Sequence, residues 1–329
     1  MIIRKLCILG GSGFVGRTLA NRLVRDGYQL KILTRNREAN KGKLILLPDL
    51  ELVEANVHDS NQLTEQLADC DAVINLVGIL NEHGTHGTGF QTVHVELMEK
   101  IIQACRANGI RRLLQMSALN ADAVNGPSHY LRSKGAAEDL AHGAPGMHVT
   151  SFRPSIVFGP ADSFFNRFAR LLKLTPLLFP LACPRARFAP VYVEDVAEAF
   201  ARCLKDPDSY GKRIELCGPH VYTFEELVRY SADCAGLKRK VIPLPDFLSQ
   251  VQAMSFDLMG FVFNFIGMEK PFSRDNYLST KVDSLCSRNG LQELGISPTA
   301  LEAIVPQYIG QYCRHSRYDT FRQYSGRHN

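Results

Sequence analysis

The segment Leu6-Cys-Ile-Leu-Gly10-Gly-Ser-Gly13-Phe-Val-Gly16 sets the narrowest limit on what this chain can fold into. A short apolar run closes on three glycines spaced by three. An amphipathic stretch follows at once, with Val15, Leu19, Leu23 and Val24 on one helical face and Gly27 as its stop. Glycine at Gly10, Gly13 and Gly16 removes the side chains that would keep a phosphate bridge away from the backbone. The helix N-terminus behind them adds oriented N–H groups and positive potential. The last glycine lets helix and strand pack closely, and the next strand ends about 20 residues on. Strand, glycine turn, helix and strand at that spacing predict a βαβ unit that receives a dinucleotide.

The alternation continues. Strand-like runs are LCILG, LKILTR, LELVEA, DAVINLVG, RRLLQMS and HVTSFRPS, and Val95, Met98, Ile101, Ile102 and Cys105 mark a second helical face before Gly109. Regular strand–helix succession predicts an α/β, doubly wound parallel sheet covered on both faces. The pattern resumes in PVYVEDVAEAFARCL and RIELCG, whereas 160–187 and the chain after Tyr222 are richer in proline, phenylalanine and irregular spacing. We therefore expect a Rossmann domain at 1–159, with 188–220 returning to it, and a smaller, discontinuous C-terminal lobe from 160–187 and 221–329.

Composition narrows the class. With 45% apolar and 22% charged residues, the chain reads as an ordinary globular protein. The nine cysteines form no CxxC pair and no zinc-like cluster. We expect no metal site, and reduced thiols in a cytoplasmic setting. The N-terminus runs straight into the first strand, so no signal or transit segment is expected. The longest apolar stretch, Leu258 to Met268, is broken by Asn264 and falls far short of the roughly 20 residues of a spanning helix. A net charge of +5 is too small to argue for nucleic acid, and none is expected as a partner. The last segment is basic (Arg314, Arg317, Arg322, Arg327): a solvated tail, or a contact for an acidic partner or anionic lipid. The Phe-rich stretch from Phe256 to Phe272 reads as lobe packing, with a docking surface as the alternative.

The second strand ends in Thr34-Arg-Asn-Arg37, without the Asp or Glu that an NAD site places there for the ribose 2′-hydroxyl. A guanidinium suits a 2′-phosphate, so Arg35 predicts NADP(H), with NAD(H) the alternative. Asp59 is a weaker candidate near the adenine. Further on, Tyr130-Leu-Arg-Ser-Lys134 sets a phenol and an ammonium one helical turn apart on one face. Tyrosine titrates near pH 10 in water, and a cation beside it favours the phenolate. Such a pair can do acid–base chemistry, with Ser117 at the end of RRLLQMS orienting a substrate oxygen. The pattern alone is weak, since Tyr277-Leu-Ser-Thr-Lys281 repeats it outside the alternating core. Only the first copy follows a strand ending in serine.

Gly10, Gly13 and Gly16 with Ser117, Tyr130 and Lys134 resemble the short-chain dehydrogenase/reductase superfamily in its extended or atypical branch. The resemblance continues in Asn75-Leu-Val-Gly78, SFRPSIVFGP, PVYVEDVAEAF and RIELCGPHVYTFEELV. FGPADSFFNRFARLL, FSRDNYLSTKVDSL and LGISPTALEAIVPQYIGQYCR are similar to the NADPH-binding accessory subunits of respiratory complex I and their bacterial relatives. The resemblance implies a dinucleotide held by Gly10, Ser12, Gly13, Phe14, Val15, Gly16, Arg35, Asn56, Val77, Gly78 and Pro154, with Tyr130 and Lys134 at the nicotinamide ribose. It implies complex I or the inner-membrane surface as partner. It departs at His94, where many members carry asparagine. Two roles stay open: a holder of NADPH in a larger assembly, or a reductase or epimerase/dehydratase working through Tyr130 and Lys134.

Overall fold

Seven short runs of consecutive apolar residues become the strands of one sheet, because a parallel strand is covered on both faces. They are β1 (Lys5–Leu9), β2 (Gln29–Thr34), β3 (Leu50–Glu54), β4 (Ala72–Asn75), β5 (Arg112–Met116), β6 (His148–Pro154) and, from far along the chain, β11 (Arg213–Leu216). The computed structural model describes residues 2–44, 48–82, 84, 86–175, 177–258 and 272–309. The strand order is β11-β6-β5-β4-β1-β2-β3, and every pairing is parallel. The order reverses between β1 and β4, which makes a switch point at their C-terminal ends.

The chain divides into two units. The first comprises Met1–Pro154, Val193–Leu216 and Cys286–Ser297; the second comprises Ser155–Tyr192, Cys217–Leu285 and Pro298–Asn329. In the first unit the helices are α1 (Phe14–Arg25), α2 (Arg37–Leu44), α3 (Ser60–Leu67), the single turn α4 (Thr88–Phe90), α5 (Leu97–Ala107), α6 (His129–His142) and α8 (Val193–Leu204). A π-helical turn, Gln91–Glu96, joins α4 to α5. The helical faces expected from spacing are buried: Leu19 and Leu23 in α1, Met98, Ile101 and Cys105 in α5, Val196, Phe200 and Cys203 in α8. Each such large side chain contributes about 1.5–3 kcal/mol of burial. Gly27 and Gly109 follow α1 and α5 at φ +80 and +69, left-handed positions that stop a helix without strain. The return of Cys286–Ser297 was not expected from sequence. It is held where Gly290 lies so near β11 that a Cβ would stand 2.2 Å from Ile214, and where Ser287 N–H donates to Glu215 at 2.7 Å.

Arg112, at the start of β5, is completely buried without a carboxylate. Its guanidinium donates instead to the carbonyls of His148, Cys203 and Leu204 and to the hydroxyls of Thr150 and Ser209. Two of those carbonyls close α8, where a cation meets the negative end of the helix.

The second unit carries β7 (Val157–Phe158), β8 (Leu178–Leu181), β9 (Arg187–Phe188), β10 (Val191–Tyr192), β12 (Tyr222–Thr223) and β13 (Lys240–Pro243) as two-stranded pieces, with α7 (Phe165–Leu174), α9 (Phe224–Cys234) and α10 (Asp246–Leu258). Its core is aromatic, built on Phe158, Phe165, Phe179, Phe188 and Phe224. The repeated YxxxK motif lies here and is a latch: Tyr277 Oη and Lys281 Nζ both donate to Asp246, at 2.9 Å each. Among the described residues six cysteines are free thiols, but Cys217 and Cys286 are disulfide-bonded, so the all-thiol expectation fails at those two. Among the described residues no helix is long and apolar enough to cross a membrane. The apolar run after Leu258 and the basic tail lie outside the described residues.

Candidate functional site

Every residue named for the nucleotide or for acid–base chemistry sits at or just beyond the C-terminal end of a parallel strand or on the helical segment that follows. Gly10 follows β1 at φ +78, and a Cβ there would stand 3.1 Å from the backbone of Leu76 and Val77 after β4. A Cβ on Gly16 would fall 2.5 Å from Gly10 O and Gly11 Cα, so only glycine lets α1 start this close to the turn. Gly13 is the N-cap of α1; it offers no side-chain acceptor, and the first turn contains no acidic residue. The leading N–H groups of α1 therefore stay open to an external anion beside Ser12, Phe14 and Val15.

Arg35 is exposed just beyond β2. The carboxylate of Glu54, opposite Thr34 in β3, accepts from Arg37 N–H at 2.9 Å. Asn56 turns the chain after β3 by accepting from His58 N–H at 3.0 Å. Asp59, the weaker adenine candidate, is occupied as the N-cap of α3, its Oδ1 accepting from Asn61 and Gln62 N–H. After β4, buried Asn75 accepts from Val77 N–H at 3.1 Å and sets the direction of the chain into Gly78. Pro154 closes β6, its carbonyl accepting from Leu119 N–H at 3.2 Å.

Ser117, Lys134, Val77, His94, Asn75 and Gln115 surround a cavity of about 10 Å³, close to the space a single water needs. Ser117 Oγ is buried there and has no hydrogen-bond partner. An orphaned hydroxyl at a strand end beside an amine is what a polar ligand group or a water would satisfy. Lys134 Nζ donates to Met116 O at 3.2 Å, and burial lowers its pKa to about 8 against the pull of Glu138. Gly78 makes room for it, since a Cβ there would meet Nζ at 2.9 Å. Tyr130 does not line the cavity; its ring packs edge-on against Phe90 and His94, at 5.9 and 5.8 Å between centroids.

His94, on the π-helical turn, is buried and fully bonded. Nε2 accepts from Ile79 N–H at 3.3 Å, so Nδ1 carries the proton toward Ser133 Oγ at 2.8 Å, and Ser133 donates to Tyr130 O at 2.9 Å. Burial, with Lys134 adding to it, drives the imidazole pKa down to about 2. The ring is a neutral strut from the β4 loop to α6.

Glu138, one turn past Lys134, went unnoticed in the sequence, although its i,i+4 spacing was visible. It is almost wholly buried and accepts from Arg153 Nε at 3.0 Å and Arg213 Nε at 2.9 Å, which fixes α6 to β6 and β11.

A family model described as the NAD dependent epimerase/dehydratase family matches residues 6–217. The chain belongs to that family. It is 31% identical to the mitochondrial NADH dehydrogenase [ubiquinone] 1 alpha subcomplex subunit 9 of Arabidopsis thaliana, over 93% of this chain and 77% of that protein. The mouse (Mus musculus) protein of that name is 30% identical over 90% of this chain and 77% of its own length. Among solved structures, MoeE5 in complex with UDP-glucose and NAD superposes with a TM-score of 0.69 at 18% identity, covering 95% of this chain and 99% of that one. At that identity the structural likeness establishes the fold: a Rossmann-type parallel sheet. The extended short-chain dehydrogenase/reductase resemblance drawn from the glycine turn and the Ser, Tyr, Lys set, with its complex I subunit branch, agrees with these relatives.

Proposed function

We propose that the chain holds NADP(H) as an accessory-subunit-like protein of respiratory complex I, peripheral on the inner membrane through that assembly. The end of β2 carries the nucleotide choice. Arg35 stands exposed there, no acidic side chain occupies that strand end, and Glu54 across the strand pair is taken up by a backbone N–H. The open N-terminus of α1 and the glycine cradle fit a pyrophosphate, with Ser12, Phe14 and Val15 beside it. Asn56, Val77, Gly78 and Pro154 line the rest of the path, and Tyr130 and Lys134 hold the nicotinamide ribose. When bound, the nicotinamide supplies or accepts a hydride.

The chain's own residues favour holding over turnover. By the family resemblance His94 stands where many members carry asparagine, and an imidazole with a pKa near 2 takes up no proton at neutral pH. One observation favours the second role, a reductase or epimerase/dehydratase. The orphaned Ser117 Oγ and the Lys134 amine, its pKa near 8, share one cavity; Tyr130, one turn before Lys134 on α6 but outside that cavity, would serve as acid/base.

Titration of NADPH and NADH against wild type and Arg35→Ala tests the nucleotide choice. Loss of a charge-assisted pair should weaken NADPH about tenfold to a hundredfold and leave NADH unchanged; equal weakening of both would refute it. Purification from the native source separates the roles. Retained, non-exchanging NADPH co-fractionating with complex I supports the holder, whereas turnover abolished in Tyr130→Phe supports the enzyme.

A further inference from the structure

The second unit carries a helix turned inside out. In α10 the residues facing the protein are Ser249 and Ala253, both fully buried, while Phe247, Leu248, Val251 and Met254 point outward on the opposite face. Phe247 is 72% exposed. Large apolar side chains in water while a small serine is sealed inside reverse the usual amphipathic pattern.

The neighbouring elements repeat the theme. In the β8–β13 pair, Phe179, Leu181 and Val241 face inward. The outward register sets Leu178 beside Lys240 and Pro180 beside Ile242. Gln252 of α10 reaches Pro180 O, and Leu244 N–H donates to Leu181 O at 2.9 Å, so α10 lies against this pair. The end of α7 adds Arg170, Lys173 and Leu174 at helical spacing, all exposed, and the chain runs on to Leu177, 71% exposed. Among the described residues, no carboxylate pairs with Arg170, Lys173 or Lys240. Asp246, the acid that opens α10, is neutralised by Lys281 at 2.9 Å.

We propose that this face of the second unit rests on an anionic lipid bilayer. Leu174, Leu177, Phe247 and Met254 enter the boundary between headgroups and acyl chains, and Arg170, Lys173 and Lys240 meet lipid phosphates. Lysine and arginine interleaved with exposed Leu and Phe is the composition of an interfacial lipid contact, whereas the core of a protein interface is depleted of lysine. The contact is direct, and so goes beyond membrane association through complex I; it rests on none of the nucleotide contacts, so either can fail alone.

The chain contains no tryptophan, so Phe247→Trp introduces a single reporter. Its emission should shift to the blue with phosphatidylcholine vesicles containing phosphatidylglycerol. Val124→Trp, exposed on the first unit, should stay unshifted. In co-sedimentation, Lys173→Gln/Lys240→Gln should lower partition onto anionic vesicles about fivefold per cation removed. Leu177→Gln/Phe247→Gln/Met254→Gln should abolish partition while keeping the wild-type melting temperature, since all three side chains are exposed. Equal shifts at both reporters, or unchanged partition of the triple variant, would overturn the proposal. So would a wild-type dimer that the triple variant dissolves, which would assign the face to a second copy. Binding to native membranes but not to vesicles of their extracted lipids would assign it to a protein partner instead.

Discussion

His94 and Lys134 lie beside one cavity in the buried part of the first unit and answer pH in opposite ranges. The folded imidazole protonates only near pH 2, while an unfolded one does so near 6.5. Between those values the unfolded chain binds the extra proton, so stability falls as pH drops below about 6.5, by about 2 kcal/mol at pH 5. Lys134 loses its proton near 8 when folded and near 10.5 when unfolded, so stability rises as pH climbs from 8 toward 10.5. We predict that His94→Asn flattens the acid limb of a plot of Tm against pH and leaves the alkaline rise, and that Lys134→Met does the reverse. If both limbs persist in both variants, other groups set the pH response.

At the scale of elements, α6 is the part whose placement matters most, because it carries Tyr130, Ser133 and Lys134. Two contacts fix it. Gly135 lies so close to the preceding loop that a Cβ would stand 2.3 Å from Ala123 N, and Glu138 is clamped between Arg153 and Arg213. Glu138→Gln would leave two guanidiniums facing a neutral amide, and should cost about 3 kcal/mol in urea unfolding. A change below about 0.5 kcal/mol would mean that water already shares the site. The sequence made the element readable but not its anchor. Helical faces, glycine stops and strand runs are local signals. The glycine turn, Arg35, Ser117 and Lys134 could be named because each sits beside such a signal. Glu138, Arg112 and the returning Cys286–Ser297 segment depend on partners tens of residues away, with no periodicity to announce them. Asp59 could not be resolved from sequence for a related reason: a helix cap and a ligand contact both ask for a carboxylate after a strand, and the structure shows the cap. The outward apolar face of α10 was also hidden, since spacing reveals a stripe but not which side of it meets the core.

For the whole molecule, the C-terminal ends of β1, β2, β4 and β5 gather along one side of the sheet in the first unit, while the second unit keeps a separate aromatic core. NADPH at a hundred times its Kd should add about 2.7 kcal/mol to whatever must open to release it. In hydrogen exchange we expect slowed amides in the turn after β1 and in the segments after β2, β4 and β5, with the aromatic core of the second unit unaffected. Protection confined to that core would place the nucleotide elsewhere.

Arg112 has a consequence that belongs to synthesis. It must wait for Ser209, 97 residues later, and for Cys203 and Leu204 just before it. At about 5–20 residues per second, a ribosome delivers Ser209 roughly 5–20 s after Arg112. Until then, burying β5 would leave the guanidinium with only His148 O and Thr150 Oγ1 of its five acceptors. Complete burial of β5 is therefore tied to the arrival of α8, whose last two carbonyls receive the charge.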